Sequence, residues 1–277
     1  MSFATDYLTQ LERFAQRAPL PRVRALHLPP DPAPGETRGE FCVLELDDGS
    51  LGLSYVLLDD TLARLRALDP ALGLAGADAL QLARCYVAGQ GAQRTLGFAA
   101  ANALTCCLYR RAGWRPAVSA DSLGALDPRP GESIGMIGLF MPLLARVLAS
   151  GAMLTVLELK PHLAGEREGY RVTLDADALR RCDKVVATGT LVLNDTLDRM
   201  LARCERARWI ALIGPSMGCL PDALFARGVT LLGGSWVIER EGYIEALRRG
   251  EVRAGLAQKV AITPTTYPGF ETLLARV

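Results

Sequence analysis

Residues 131–160, GESIGMIGLFMPLLARVLASGAMLTVLELK, decide the fold. Residues 134–139 form a short apolar run that carries Gly135 and Gly138, and it reads as a strand entering a glycine turn. Pro142 then opens a run with apolar side chains at Leu143, Leu144, Val147 and Leu148. That spacing marks one face of a helix, and proline is tolerated in its first turn. Gly151 ends the helix, and residues 154–159 form a second apolar strand that contains an acid, Glu158. A strand–helix–strand unit of this length begins a parallel, doubly wound sheet, in which ligands bind at the carboxyl ends of the strands.

Downstream, the alternation of strand and helix continues. Apolar strands are expected at 185–187, 209–213 and 229–232, with helices at 142–150, 176–182, 197–204, 221–226 and 241–249. Residues 161–169 read as a polar loop, Asp175 and Asn194 read as helix N-caps, and residues 241–249 read as the last helix. The expectation is a Rossmann-like, five-stranded parallel sheet spanning residues 119–277.

Upstream, the pattern changes. Residues 3–17 carry apolar side chains at helical spacing and stop before Pro19 and Pro21. A strand is expected at 23–28, a loop at 29–39, and a hairpin at 41–46 and 51–57 across Asp47-Asp48-Gly49-Ser50. Helices follow at about 59–68, 77–88 and 93–112, the last through the small-residue run GFAAANALTCCLYRR. Residues 114–130 are rich in proline, serine and aspartate, so the boundary is set there. Residues 1–118 are thus a smaller α+β domain that precedes the α/β domain.

Composition narrows the function classes. With 31 basic and 30 acidic side chains, the net charge of +1 gives no footprint for nucleic acid. No apolar stretch is long enough to span a bilayer, and residues 1–14 lack the pattern of a signal peptide. Seven cysteines without paired spacing suggest reduced thiols in the cytoplasm. There are only two histidines, His27 and His162, and no CxxC or HxxxH, which speaks against a zinc-type site built within one segment. Ser216 lies in GPSMG, which fits the GxSxG spacing, but His162 is the only histidine in the second domain, so a nucleophilic triad is poorly supported.

Candidate site residues cluster at the expected strand ends. Gly135, Gly138, Gly189 and Gly214 would let a ligand approach the backbone, and Pro215 shapes the turn it occupies. Thr188, Thr190, Asn194 and Ser216 would orient the ligand by hydrogen bonds. Gly233, Gly234 and Ser235 belong to the same expected edge. Glu158 follows Gly138 by 20 positions, about where dinucleotide- and adenosine-binding folds hold ribose hydroxyls. The third glycine of the pyrophosphate fingerprint is missing, which favours S-adenosylmethionine over NAD as an adenosyl cofactor. The same residues also fit ordinary strand-to-helix turns, and Glu158 beside Lys160 also fits a surface ion pair.

Four stretches resemble a known family. They are LGFAAANALTC (96–106), IGMIGLFMPLL (134–144), CDKVVATGTLVLNDTL (182–197) and ALIGPSMGCLPDALFARGVTLLGGSWV (211–237). Together they resemble the heavy-metal-chelation family, catalogued as a domain of unknown function. The resemblance implies an enolase N-terminal-like fold for the first domain and a cleft between it and the Rossmann-like second domain. It marks Gly135, Gly138, Thr188, Gly189, Thr190, Asn194, Gly214, Pro215, Ser216 and, from the first domain, Asn102. Few of these are metal-ligand side chains, so an organic ligand or a metal chelate is favoured over direct chelation. Three functions are therefore carried forward. They are binding of a small anionic ligand or metal chelate, an enzyme using S-adenosylmethionine, and an interaction module with no ligand. A homo-oligomer is compatible with all three.

Overall fold

The computed structural model describes residues 1–32, 40–67, 73–119 and 126–277. Parts of the expected loop at 29–39, the end of the helix at 59–68 and residues 120–125 of the expected boundary at 114–130 lie outside the described residues.

The chain begins with helix α1 (Phe3–Arg17). The Ser2 hydroxyl accepts from the Thr5 N–H at its start, and Phe3, Tyr7, Leu11 and Phe14 form its buried stripe. Strands β1 (Val23–His27), β2 (Phe41–Leu46) and β3 (Leu51–Tyr55) form a three-stranded antiparallel sheet in that order. Helices α2 (Thr61–Ala67), α3 (Ala79–Ala88) and α4 (Gly91–Arg111) complete the first unit. Residues 95–105 of α4 are buried on every side, which is what an all-round apolar, small-residue sequence requires. Two glycines set its packing distances. A methyl at Gly52 of β3 would lie 2.0 Å from the Ala99 carbonyl oxygen, and one at Gly97 would lie 2.2 Å from the Tyr86 nitrogen.

The second unit holds β4 (Ala117–Val118), β5 (Ser133–Ile137), α5 (Met141–Ala149), β6 (Met153–Leu157), β7 (Gly165–Arg167), β8 (Tyr170–Thr173), β9 (Lys184–Thr188), α6 (Leu197–Leu201), β10 (Trp209–Ile213), α7 (Asp222–Phe225), β11 (Leu231–Val237), α8 (Arg240–Arg249), β12 (Ala257–Ile262) and α9 (Phe270–Leu274). Among the described residues its sheet has nine strands in the order β4-β12-β11-β10-β9-β5-β6-β8-β7. The six from β11 to β8 are parallel, and β4, β7 and β12 pair antiparallel at the two edges. The Rossmann-like class is therefore correct, with a larger sheet than the five strands expected. The additional strands are partly exposed; β4, β7 and β8 are short, and Gln258 and Lys259 interrupt the apolar pattern of β12. The strand expected at 229–232 runs instead over Leu231–Val237, so Gly233, Gly234 and Ser235 lie within a strand and not in the turn after it. The expected loop at 161–169 contains a 3₁₀ turn and β7, and α9 follows the helix expected to be last.

The winding reverses at β5, which pairs with β6 on one side and β9 on the other. The carboxyl ends of β5 and β9 therefore form the switch point of the sheet, where open α/β sheets leave a crevice. One continuous apolar core runs from α1, α3 and α4 into the loops that follow β9 and β10, and a second cluster packs Val43, Leu51 and Leu53 against Tyr243, Ile244 and Leu247 of α8, so the two units are joined by buried apolar contacts. The expected boundary after Val118 falls just beyond β4, which pairs with β12 of the large sheet. No helix among the described residues is long and apolar enough to cross a membrane.

Candidate functional site

Two cavities open where the carboxyl edge of the large sheet meets the first unit. The larger, about 490 Å³, lies over the switch point. Its floor is built from Gly138, Glu158, Thr188, Gly189, Thr190, Asn194, Gly214 and Pro215, all of them sequence-predicted site residues. Its far wall is Phe41, Tyr55, Leu57 and Leu58 from the first unit, which the sequence did not mark. The smaller, about 380 Å³, lies between the β2–β3 hairpin, α4 and β11. It holds Asn102 and Ser216 and shares Pro215 with the larger cavity. Gly135 lies in neither. It sits inside β5, where a methyl would come within 3.0 Å of the Cys182 sulfur and of a Leu179 methyl, so its smallness serves packing.

The turn after β5 explains why the glycine pattern is incomplete. Gly138 has φ of +83°, and a methyl there would also lie 3.2 Å from Thr188 across the switch point. The Gly138 N–H donates to the Leu157 carbonyl. Glu158 Oε1 accepts from the Leu139 N–H at 2.9 Å, and Oε2 accepts from the Leu159 N–H at 3.2 Å. The protein's own carboxylate thus occupies a backbone donor that a phosphate would take in a pyrophosphate grip.

The β9 turn presents hydroxyls. Thr188 Oγ1 accepts from the Thr190 N–H at 3.3 Å and from the Thr190 hydroxyl at 3.2 Å, which opens the 3₁₀ turn Gly189–Val192. Asn194 was expected to cap the next helix. Instead its Oδ1 accepts from the Thr196 N–H at 3.3 Å and from the Thr196 hydroxyl at 2.5 Å, and α6 starts only at Leu197. Asp195, with φ of +57°, intervenes between Asn194 and the helix. The Asn194 amide NH₂ is left without a partner among the described residues. The Tyr55 hydroxyl and the Lys160 ammonium are likewise unpartnered there. Burial raises the Tyr55 phenol above its ordinary value, so it is a donor at neutral pH. The larger cavity therefore offers three free donors, a balanced pair of charged side chains (Glu158 and Lys160) and an apolar wall.

The wall between the cavities is the segment 214–218. Met217 is wedged between two glycines: a methyl at Gly189 would lie 2.6 Å from its sulfur, and one at Gly234 would lie 2.5 Å from its carbonyl oxygen. Asn102 fixes the same segment from the other side. Its Nδ2 donates to the Ser216 and Leu53 carbonyls, both at 2.8 Å, and its Oδ1 accepts from the Tyr7 hydroxyl at 3.1 Å. Asn102 is 4 % exposed, so it acts as a bridge between the units rather than as a free ligand group.

No group of three or more His, Cys, Asp or Glu side chains that could hold a metal ion occurs among the described residues. His27 is taken up by Glu45 and Arg248. Burial pushes the thiols of Cys42, Cys107, Cys204 and Cys219 up to about 12 and that of Cys182 up to about 11, which keeps them protonated at neutral pH. Thiolate is the form that binds metal, so these sulfurs are poorly prepared ligands.

A Rossmann-like sheet joined through buried apolar contacts to a small α+β unit, with cavities between them, defines the class of protein. The chain belongs to the DUF364 family, described as "Putative heavy-metal chelation", whose model matches residues 121–265. Residues 39–105 match a companion family, DUF4213, with the same description. Crystal structures of DUF364 proteins from Desulfitobacterium hafniense and Pyrococcus horikoshii share the fold. The first has a TM-score of 0.66 at 22 % identity and covers 95 % of this chain and 100 % of that one. The second has a TM-score of 0.65 at 20 % identity, with 93 % and 99 % covered. An uncharacterised protein of Methanocaldococcus jannaschii is 28 % identical over 154 residues, which is 53 % of this chain and 56 % of that protein. The match therefore spans little more than half the length of that curated relative.

Proposed function

We propose that the chain binds a small, acceptor-rich organic ligand, or a heavy metal already wrapped in such a ligand, in the larger cavity. The observation that carries this reading is the set of unpartnered donors, Tyr55, Asn194 and Lys160, lining one cavity with the Thr188 turn and an apolar wall. Donors without acceptors suit carboxylate or carbonyl oxygens, and the apolar wall suits the outside of a chelate. A bare ion finds no cluster of protein ligands among the described residues. The reading takes residues 1–118 and 119–277 as the two domains framing the cavity. The scattered thiols support a cytoplasmic setting, and the near-zero net charge favours a small molecule over nucleic acid.

Calorimetry with nickel, zinc and cobalt ions, with citrate, and with their citrate complexes tests it. Binding is expected for the ligand-bearing species, weakened about tenfold by Asn194→Ala or Lys160→Met, since each removes one hydrogen bond to an anion. Absence of heat with every species, or tight binding of the bare ions unchanged in both variants, would sink the proposal.

Glu158 favours a second reading, an adenosyl cofactor such as S-adenosylmethionine. It stands beside Gly138 at the switch point, and each carboxylate oxygen keeps a lone pair for a ribose hydroxyl. A thermal-shift titration with S-adenosylmethionine and its demethylated product is the check. Stabilisation that survives unchanged in Glu158→Gln rules out the ribose role.

A further inference from the structure

The smaller cavity has its own charged lining. Its charged lining is Asp48, Arg110 and Arg240. Asp48 is used internally: its carboxylate accepts from the Ser50 N–H at 2.8 Å and from the Ser50 hydroxyl at 3.0 Å. Arg240 is neutralised by Glu45 and Glu241, each at 3.1 Å. Arg110 meets only neutral oxygens, the Asp48 carbonyl at 3.1 Å and the Ser50 hydroxyl at 3.4 Å, and has no carboxylate partner among the described residues. The two guanidinium groups nevertheless converge over the hairpin turn, with Nη1 of Arg240 and of Arg110 lying 3.2 and 3.7 Å from where a Gly49 methyl would sit.

The rest of the lining is a set of donors around a flat wall. The hydroxyls of Ser216 and Ser235 and the indole N–H of Trp236 have no hydrogen-bond partner among the described residues, and all three residues line the cavity. Arg115, which is not part of the lining, lies over the Trp236 ring with its guanidinium carbon 5.7 Å from the centroid. That contact, with the Arg115 bond to Gln258, helps hold the indole in place.

We infer that the smaller cavity is a second ligand site, for a flat monocarboxylic acid whose carboxylate meets Arg110 and whose ring stacks on Trp236. Arg110 is the lining cation without an ion pair among the described residues, and guanidinium pairs with a planar carboxylate through two parallel hydrogen bonds. The site shares only the 214–218 wall with the larger cavity and does not depend on what that cavity binds.

The test is calorimetry on the full chain with benzoate and indole-3-carboxylate, with benzamide as an uncharged flat control and acetate as a ringless one. At least one flat acid is expected to bind once per chain, and benzamide and acetate about tenfold or more weaker. Arg110→Gln should weaken the acid about tenfold, Arg110→Lys less, and Trp236→Leu should remove the advantage of the ring over acetate. Asn194→Ala and Lys160→Met, in the other cavity, should leave acid binding unchanged. Circular dichroism and the melting temperature establish that each variant is folded. If Arg110→Gln does not fold, Arg110→Lys and Trp236→Leu decide. The inference is overturned if neither flat acid binds, if benzamide binds as well as benzoate, or if affinity follows Lys160 instead of Arg110 and Trp236.

Discussion

Asn102 is a single amide with three partners in three different parts of the chain. Tyr7 of α1, Leu53 of β3 and Ser216 beyond β10 all bond to it. Asn102→Ala strands the Leu53 carbonyl, while the Ser216 carbonyl keeps the Gly218 N–H and the Tyr7 hydroxyl keeps Thr105, so a loss of roughly 1–3 kcal/mol is expected. Asn102→Asp is expected to be worse at neutral pH, because it sets an acceptor against the Ser216 and Leu53 carbonyls. Urea unfolding of both variants checks the order, and a loss within error of zero for Asn102→Ala would show that the bridge carries no weight. In the sequence Asn102 stood out as the polar residue in LGFAAANALTC, with interface and helix-contact readings both open. The partners could not be read, since they lie 49 to 114 positions away along the chain. Glu158 shows the same limit. Its position at the end of a strand was legible, but the backbone N–H groups it would occupy were not.

At the scale of elements, the packing of the hairpin on α4 depends on the missing side chain of Gly52. A methyl there would meet the Ala99 carbonyl oxygen at 2.0 Å and the Ala103 nitrogen at 2.3 Å, both of them backbone atoms that cannot rotate away. Gly52→Ala is therefore expected to cost at least the roughly 1–3 kcal/mol of an overpacked core and to lower the melting temperature. A melting temperature equal to wild type would mean that the hairpin stands further from α4. The hairpin itself was legible from the Asp-Gly step between two apolar runs. The helix was legible too, from its small residues and from Gly113 beyond its end. The close approach was not, because Gly52 within LGLSY carries no signal of what lies opposite. Strands β8 and β12 escaped for a related reason: half-exposed strands show little alternation.

Across the whole molecule, the two units are joined by charge as well as by the shared core. His27 of β1 is 4 % exposed and Glu45 of β2 is 6 % exposed. The two side chains are 2.9 Å apart. Arg248 and Arg240 of α8 complete the group from the second unit, with Arg248 donating to His27 Nδ1 at 2.9 Å and Arg240 to Glu45 at 3.1 Å, while Arg24 stands 3.8 Å from Glu45. Burial, opposed by the Glu45 hydrogen bond and reinforced by Arg248, holds the His27 imidazole below its ordinary 6.5. The unfolded chain then binds the His27 proton more readily than the folded one. The contribution of His27 is complete above its ordinary value and is lost as the pH falls from there through the lowered folded value. Denaturant midpoints measured from about pH 7.5 down to about pH 5 should fall for wild type, with a shallower slope for His27→Gln. Equal slopes would remove His27 from the interface account.

The sequence by itself determined the Rossmann-like class, the smaller α+β unit before it, and the strand-end residues Gly138, Thr188, Gly189, Thr190, Asn194, Gly214 and Pro215 that the fold brings to one cavity. Local periodicity and glycine placement carry that information, because a βαβ unit is specified by residues close together in the chain. Tertiary structure alone decided that Phe41, Tyr55, Leu57 and Leu58 face those residues, that Gly135 serves packing, and that the 214–218 segment divides the space into two cavities. Those facts depend on which surfaces of the two units meet. Contacts between residues far apart in sequence leave no periodic trace in either partner, so only the folded chain displays them.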